Sequence, residues 1–314
     1  MNKKIFVIYN TTSIGDVLVT NTLVRNIKYY YPDSYVVFVC NAPIYDVAKY
    51  QEGVDEVITY DKKSCKNIKS IWNFAKTFPY KKPFASIVTY SNERNLLIAR
   101  LIGSKHIISN HKFPLWNTKE KYELNFYEHM KDRWGGLVEP LTGEHKNLPI
   151  KYLPPEIDSP VIQKIKSLKN PVPISTTSNF SKKDMGINDC IELINSLNKD
   201  GFTPVMTGAG RIASKFNSEL RKAGCFEFID IVDCTSFIEL ANILKICNCC
   251  ISVDTGTLHF ANALSVPVVG IFYNGLVDTW GSDPALYPSI MLEGRGVSVK
   301  DIMLAFKELV GVCV

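Results

Sequence analysis

The sequence contains no run approaching the ~18 apolar residues that span a bilayer. It also lacks low-complexity tracts and short-period repeats. Charge of either sign is modest. The 36 Lys and Arg against 31 Asp and Glu leave a net +5 over 314 residues, too weak and too dispersed to argue for nucleic acid, although it favours an anionic partner. There is no Asp-x-Asp triplet, which removes the usual carboxylate pair for bridging a metal to a diphosphate. Cysteine supplies no framework either. The nine residues are odd in number, scattered and mostly set in apolar stretches such as those of Cys40 and Cys190, unlike a secreted disulfide scaffold. Cys247, Cys249 and Cys250 have no second Cys/His pair at zinc spacing and read as buried thiols. The apolar run in MNKKIFVIYN is too short for a signal peptide, so the cytoplasm is the expected compartment.

What the chain does have is length and alternation. It is long enough for two ordinary domains with separate cores, and its 46% hydrophobic and 21% charged content is that of a globular protein. KIFVIYN, SYVVFVC, EVITYD and FASIVTY read as strands between helical patterns at 20–31, 68–78 and 92–102. The rhythm lapses over the polar, aromatic residues 110–136. After the proline-rich LPIKYLPPEIDSP it resumes, with VPIST, FTPVMTG, CCISV and VVGIF as strands and helices at 187–199, 212–223, 236–246 and 257–264. Strands apolar on both faces, alternating with helices, predict parallel sheets covered by helices. The expected class is α/β, with two doubly wound Rossmann-like domains at 1–155 and 156–314. The ligand is expected in the cleft between them, and the last helix is left open to return to the first domain.

Polar chemistry concentrates where SVDTGTLHF separates two apolar runs. Asp254, Thr255 and Gly256 follow a strand's carboxyl end and open a helix, where backbone N–H groups and the positive end of the helix dipole favour an anion. Gly256 allows close approach, Thr255 and Thr257 add hydroxyls, and His259 adds a ring nitrogen. Singly, Asp254 or Thr255 reads as an N-cap; together the set reads as a diphosphate site. In the N-terminal turn, Ser13 and Gly15 precede Asp16, whose carboxylate either takes a proton from a substrate hydroxyl or merely complements the helix dipole. A rival reading comes from VMTGAGRIASKF. Gly208, Gly210 and Ala213 fit a dinucleotide fingerprint, with Asp230 as ribose partner, and would make the chain a nicotinamide-dependent oxidoreductase. The fingerprint falls on the second strand of its half rather than the first, so a turn near a nucleotide is the better reading. A third reading is a nucleotide-sugar binding protein without turnover.

Taken together, these segments resemble glycosyltransferase family 9, the lipopolysaccharide heptosyltransferases. SIGDVLVTNTLVRNIKYYYPDSYVVFV resembles the family's opening, TTSNFSKKDMGINDCIEL its hydroxyl-rich turn with lysine, and SVDTGTLHFANALSVPVVGIF its Asp-Thr-Gly-x-x-His signature. The resemblance implies a GT-B fold of two Rossmann-like domains facing across a cleft. It also implies inverting chemistry without a metal or resident cofactor, and a nucleoside-diphosphate sugar donor, namely ADP-heptose. Asp16 would be the general base. Lys183, with Lys182 as the alternative, would neutralise the leaving diphosphate. Thr255, Gly256, Thr257 and His259 would hold the donor, with Asp254 on its sugar. Ser13, Gly15, Thr177, Ser178, Gly208, Thr235 and Ser236 would border it. Met185 stands where the family often has tryptophan and Thr257 where it often has proline, and both are expected against the donor.

The implied acceptor is an anionic glycolipid or lipopolysaccharide core at the inner face of the cytoplasmic membrane. A basic rim would meet it, made of Lys62, Lys63, Lys66, Lys69, Lys81, Lys82, Lys112, Lys119 and Lys121, with Arg94 and Arg100 and the aromatics of 113–134.

Overall fold

Each apolar run named above forms a strand in the computed structural model, which describes residues 3–60, 65, 67–90, 92–109, 120–121 and 129–311. Two compact units divide between Tyr152 and Leu153. The first holds β1 (Ile5–Tyr9), β2 (Tyr35–Cys40), β3 (Glu56–Thr59), β4 (Ala85–Val88), β5 (His106–Ser109) and β6 (Glu120–Lys121), in the order β3-β2-β1-β4-β5-β6. The second holds β7 (Pro171–Ser175), β8 (Thr203–Met206), β9 (Ile229–Asp230), β10 (Cys250–Val253), β11 (Val268–Phe272) and β12 (Ser289–Glu293), in the order β12-β11-β10-β7-β8-β9. All pairings within both sheets are parallel. Counted within its own unit, each sheet reads 3-2-1-4-5-6. The order reverses between the first and fourth strands, and the crevice beyond their carboxyl ends is where open parallel sheets bind ligands.

Burial on both faces explains the uninterrupted apolar strands: Phe6 to Tyr9, Val36 to Cys40 and Val268 to Ile271 are enclosed. Helix Ile187–Lys199 shows the complementary pattern. Cys190, Leu193, Ile194 and Leu197 fall at helical spacing and join Val172, Ile174 and Ile251 in the second unit's core. Helix Val299–Val310 packs on that helix and on β11 and β12, within its own unit.

Two local features position the sites. The helix expected at 20–31 is Asn21–Tyr30, and a short helix, Ile14–Val19, precedes it. At their joint, Thr20 Oγ1 donates to the Asp16 carbonyl at 2.8 Å and accepts from Asn10 Nδ2 at 2.7 Å. The Thr20 N–H keeps its helical bond to the same carbonyl at 3.0 Å, and back-bonding of this kind bends a helix. On β11, Gly270 leaves room for close packing. A Cβ there would lie 2.7 Å from Leu258 Cδ1 on helix Gly256–Ala263 and 2.5 Å from Met291 Sδ on β12.

Candidate active site

In the second unit, the chain leaving β7 and the chain leaving β10 meet at the point of strand reversal. After β10, the Asp254 N–H extends the ladder to the Ile271 carbonyl at 3.1 Å, and the carboxylate is only 5% exposed. After β7, a short loop is closed by Met185 N–H on the Thr176 carbonyl (2.9 Å) and Ser178 N–H on Asp184 Oδ1 (2.7 Å). A single 3-10 turn, Ser181–Lys183, then aims one lysine inward. Lys183 Nζ donates to Asp254 Oδ2 at 2.5 Å, while Lys182 is exposed. Of the two candidate lysines, Lys183 is therefore the one that reaches the signature. Thr177 and Ser178 are half-buried in the same loop, and the Ser178 hydroxyl donates to the Phe180 carbonyl at 2.9 Å.

Thr255 is the N-cap of helix Gly256–Ala263, in extended conformation and without a side-chain capping bond. The positive end of this helix adjoins the Lys183–Asp254 pair through the backbone of residues 254–256. Thr257 and His259 are buried on it, and the His259 ring lies 5.9 Å from that of Trp280. Met185, expected against the donor, is instead 3% exposed inside the core with Leu193 and Ile251. A tryptophan-to-methionine change there alters packing beneath the loop rather than a ligand contact. Phe180 escaped sequence reasoning: it is 69% exposed, with Lys183 Nζ 5.7 Å from its ring centroid.

The glycine turn after β8 has a structural occupant. Gly208 and Gly210 adopt φ of 146° and 85°, as glycine permits. Gly210 N–H then donates to Asp233 Oδ1 at 2.6 Å, and Ser214 Oγ to Asp233 Oδ2 at 2.7 Å. These bonds, the backbone one foremost, hold the Asp233 carboxyl below its ordinary range. The start of helix Arg211–Lys222 thus already carries a carboxylate from its own chain. Asp230, the expected ribose partner, is taken by Arg221 and Asn217 at 2.7 and 2.8 Å. The oxidoreductase reading fails on these contacts. Ser236 caps helix Phe237–Ile246 in a reciprocal box with Glu239, and Thr235 is half-buried just before it.

In the first unit, the corresponding reversal lies between β1 and β4. Gly15 is buried and Ser13 exposed in the turn that opens helix Ile14–Val19. Asp16 is half-buried and accepts from both sides, from Ser13 Oγ on Oδ2 at 2.7 Å and from Tyr90 OH on Oδ1 at 2.5 Å. Tyr90 follows β4, and its ring packs 4.8 Å from that of buried Trp134. Burial first, and the Asp16 charge second, push the Tyr90 hydroxyl pKa up, so it stays a donor. The structure separates the two arginines. Arg94 lies in the first turn of helix Glu93–Leu101, at the ligand end of the sheet, and Arg100 in its last turn, about 9 Å further along. Lys69, Lys81 and Lys82 are exposed. Lys62, Lys63, Lys66, Lys112 and Lys119, the Lys121 side chain, and the aromatics of 113–128 lie outside the described residues.

Among the described residues, no group of three or more His, Cys, Asp or Glu is placed to hold a metal ion. Cys247, Cys249 and Cys250 are free and buried. No helix among them is long and apolar enough to cross a membrane.

The family model for glycosyltransferase family 9 (heptosyltransferase) matches residues 97–285. The chain belongs to glycosyltransferase family 9. The match takes in Lys183 and the signature, and Asp16 precedes it. Among solved structures, a family 9 glycosyl transferase from Veillonella parvula is similar with a TM-score of 0.84 at 18% identity, over 99% of this chain and 98% of that one. E. coli ADP-heptose LPS heptosyltransferase II gives 0.78 at 14%, over 98% of each. E. coli heptosyltransferase WaaC, solved with ADP, gives 0.74 at 16%, over 97% of this chain and 99% of that one. No match was found among curated protein sequences. Such low identities establish the fold, which is the GT-B class expected of this glycosyltransferase.

Proposed function

We propose that this glycosyltransferase moves a sugar, heptose, from an ADP-linked donor to a hydroxyl of a lipopolysaccharide-core or similar anionic glycolipid, with inversion and without a metal. The observation carrying the proposal is the convergence of Lys183, Asp254 and the start of helix Gly256–Ala263 at one strand reversal. An ammonium and a helix N-terminus together supply what a departing diphosphate requires. WaaC has been solved with ADP and with ADP-2-deoxy-2-fluoro heptose, which supports an adenine donor for this relative.

In the proposed step, the acceptor O–H gives its proton to the Asp16 carboxylate, and the oxygen's electron pair forms a bond to the anomeric carbon. The bond from that carbon to the phosphate oxygen breaks, and its electron pair leaves with ADP. Lys183, Thr255, Gly256, Thr257 and His259 stabilise the diphosphate, and Asp254 meets the sugar's hydroxyls. Ser236 contributes through its cap rather than through a free hydroxyl. The membrane surface presents the acceptor, and stronger binding to anionic than to neutral vesicles at low salt tests that contact.

The deciding experiment is a thermal-shift panel of ADP-, UDP-, GDP- and CDP-sugars, followed by turnover of whichever stabilises the protein, with chelator present. ADP-heptose is expected to stabilise most, and Asp16→Asn to bind it normally while losing at least about 100-fold in kcat. Stabilisation by another base alone, or loss of turnover in chelator, would overturn the corresponding part.

A further inference from the structure

We infer that Tyr90 is a positioning residue for Asp16, holding one carboxylate oxygen so that the other faces the acceptor hydroxyl. The inference rests on the reading of Asp16 as the base. The two oxygens are held unequally. Oδ1 accepts from Tyr90 OH at 2.5 Å, while among the described residues Oδ2 accepts only from exposed Ser13 at 2.7 Å. The phenol arrives from the neighbouring strand, because β1 and β4 pair in parallel, with Tyr9 opposite Val88, and the two loops leave side by side.

The phenol is itself braced. Its ring packs on Trp134, which is 1% exposed in helix Met130–Gly135. On the other side, Asn10 Nδ2 donates to the Asp16 carbonyl at 3.2 Å and fixes the backbone from which the carboxylate projects. Tyr90 therefore sets the carboxylate plane at the cost of one lone pair on Oδ1. Oδ2 remains the oxygen open to a substrate proton, since a hydroxyl on an exposed serine can be exchanged for the acceptor's own. Among the described residues, the charges acting on the Tyr90 hydroxyl are those of Asp16 and Arg133. A bond to an ionised carboxylate is worth more than a neutral one, so its removal has a kinetic reading as well as a structural one.

The test uses the full chain with Tyr90→Phe, Asp16→Asn and the double variant. Phenylalanine keeps the ring on Trp134 and removes only the hydroxyl. Melting temperatures form a double-mutant cycle that needs no substrate, and the single losses are expected not to add. ADP release from ADP-heptose is then followed against donor concentration. Tyr90→Phe is expected to lower kcat about tenfold with the donor KM unchanged. Additive melting losses overturn the inference. So does an unchanged kcat in Tyr90→Phe, even with a coupled cycle. Asp16→Asn retaining full turnover would instead sink the base assignment, while the cycle would still report the bond.

Discussion

Lys183 and Asp254 form the most consequential pair in the second unit, because both are largely removed from water, at 19% and 5% side-chain exposure. A charge buried without its partner is strongly destabilising, whereas replacing both members by neutral groups is often tolerated. Lys183→Met is therefore expected to destabilise the protein by about 3 kcal/mol. Lys183→Met with Asp254→Asn should recover most of that loss in urea unfolding while donor binding stays impaired. If the double variant is no more stable than the single one, the carboxylate is better solvated than its burial indicates. This pair was half legible in sequence. The signature placed Asp254 and the family resemblance favoured Lys183 over Lys182, but only the 3-10 turn at Ser181–Lys183 shows which of the two reaches the carboxylate. Tyr90 was not legible at all, since an aromatic ending an apolar strand reads as core.

At the scale of elements, the signature helix owes its position to a missing methyl. Gly270 lets Leu258 and Met291 approach the backbone of β11. Gly270→Val is expected to cost about 2–3 kcal/mol by overpacking and to shift helix Gly256–Ala263 away from the sheet. Calorimetry should show a lower melting temperature and donor titration a weaker affinity. Unchanged affinity in a destabilised variant would mean that the helix start is held by its loop alone. Most buried strands and amphipathic helices were readable to within a residue or two, as with 187–199, because periodicity and burial agree there, whereas β5, buried but four residues long, was missed. The exceptions have local causes. The short helix Ile14–Val19 has only six residues, and β9 has two, too few for any pattern. β12 is half-buried along most of its length, so it lacks the clean apolar run that marked its neighbours.

For the molecule as a whole, burial of ionisable groups sets an alkaline limit. Burial raises Cys40, Cys190, Cys247 and Cys249 from an ordinary 9.0 to about 12, and raises Tyr9 and Tyr152 as well. These groups ionise in the unfolded chain before they do in the folded one. The stability they confer is complete below pH 9 and is lost as pH rises towards 12. Urea midpoints are expected to fall steadily above pH 9, and a midpoint constant up to pH 11 would contradict the burial. Composition had already indicated these thiols, since apolar neighbours leave a cysteine no other role. It could not reveal that both sheets share one strand order, because that repetition resides in hydrogen-bonded pairing and leaves no sequence period.

An ammonium already neutralised by a carboxylate has little to offer a small anion that brings charge and nothing else. Orthophosphate meeting Lys183 would have to compete with Asp254 at 2.5 Å, with no sugar to occupy that carboxylate in exchange. On the proposed function, a whole nucleotide-sugar would engage both partners at once. The pair would then act as a discriminator, and in a phosphate-rich medium it would keep the site available for the larger molecule.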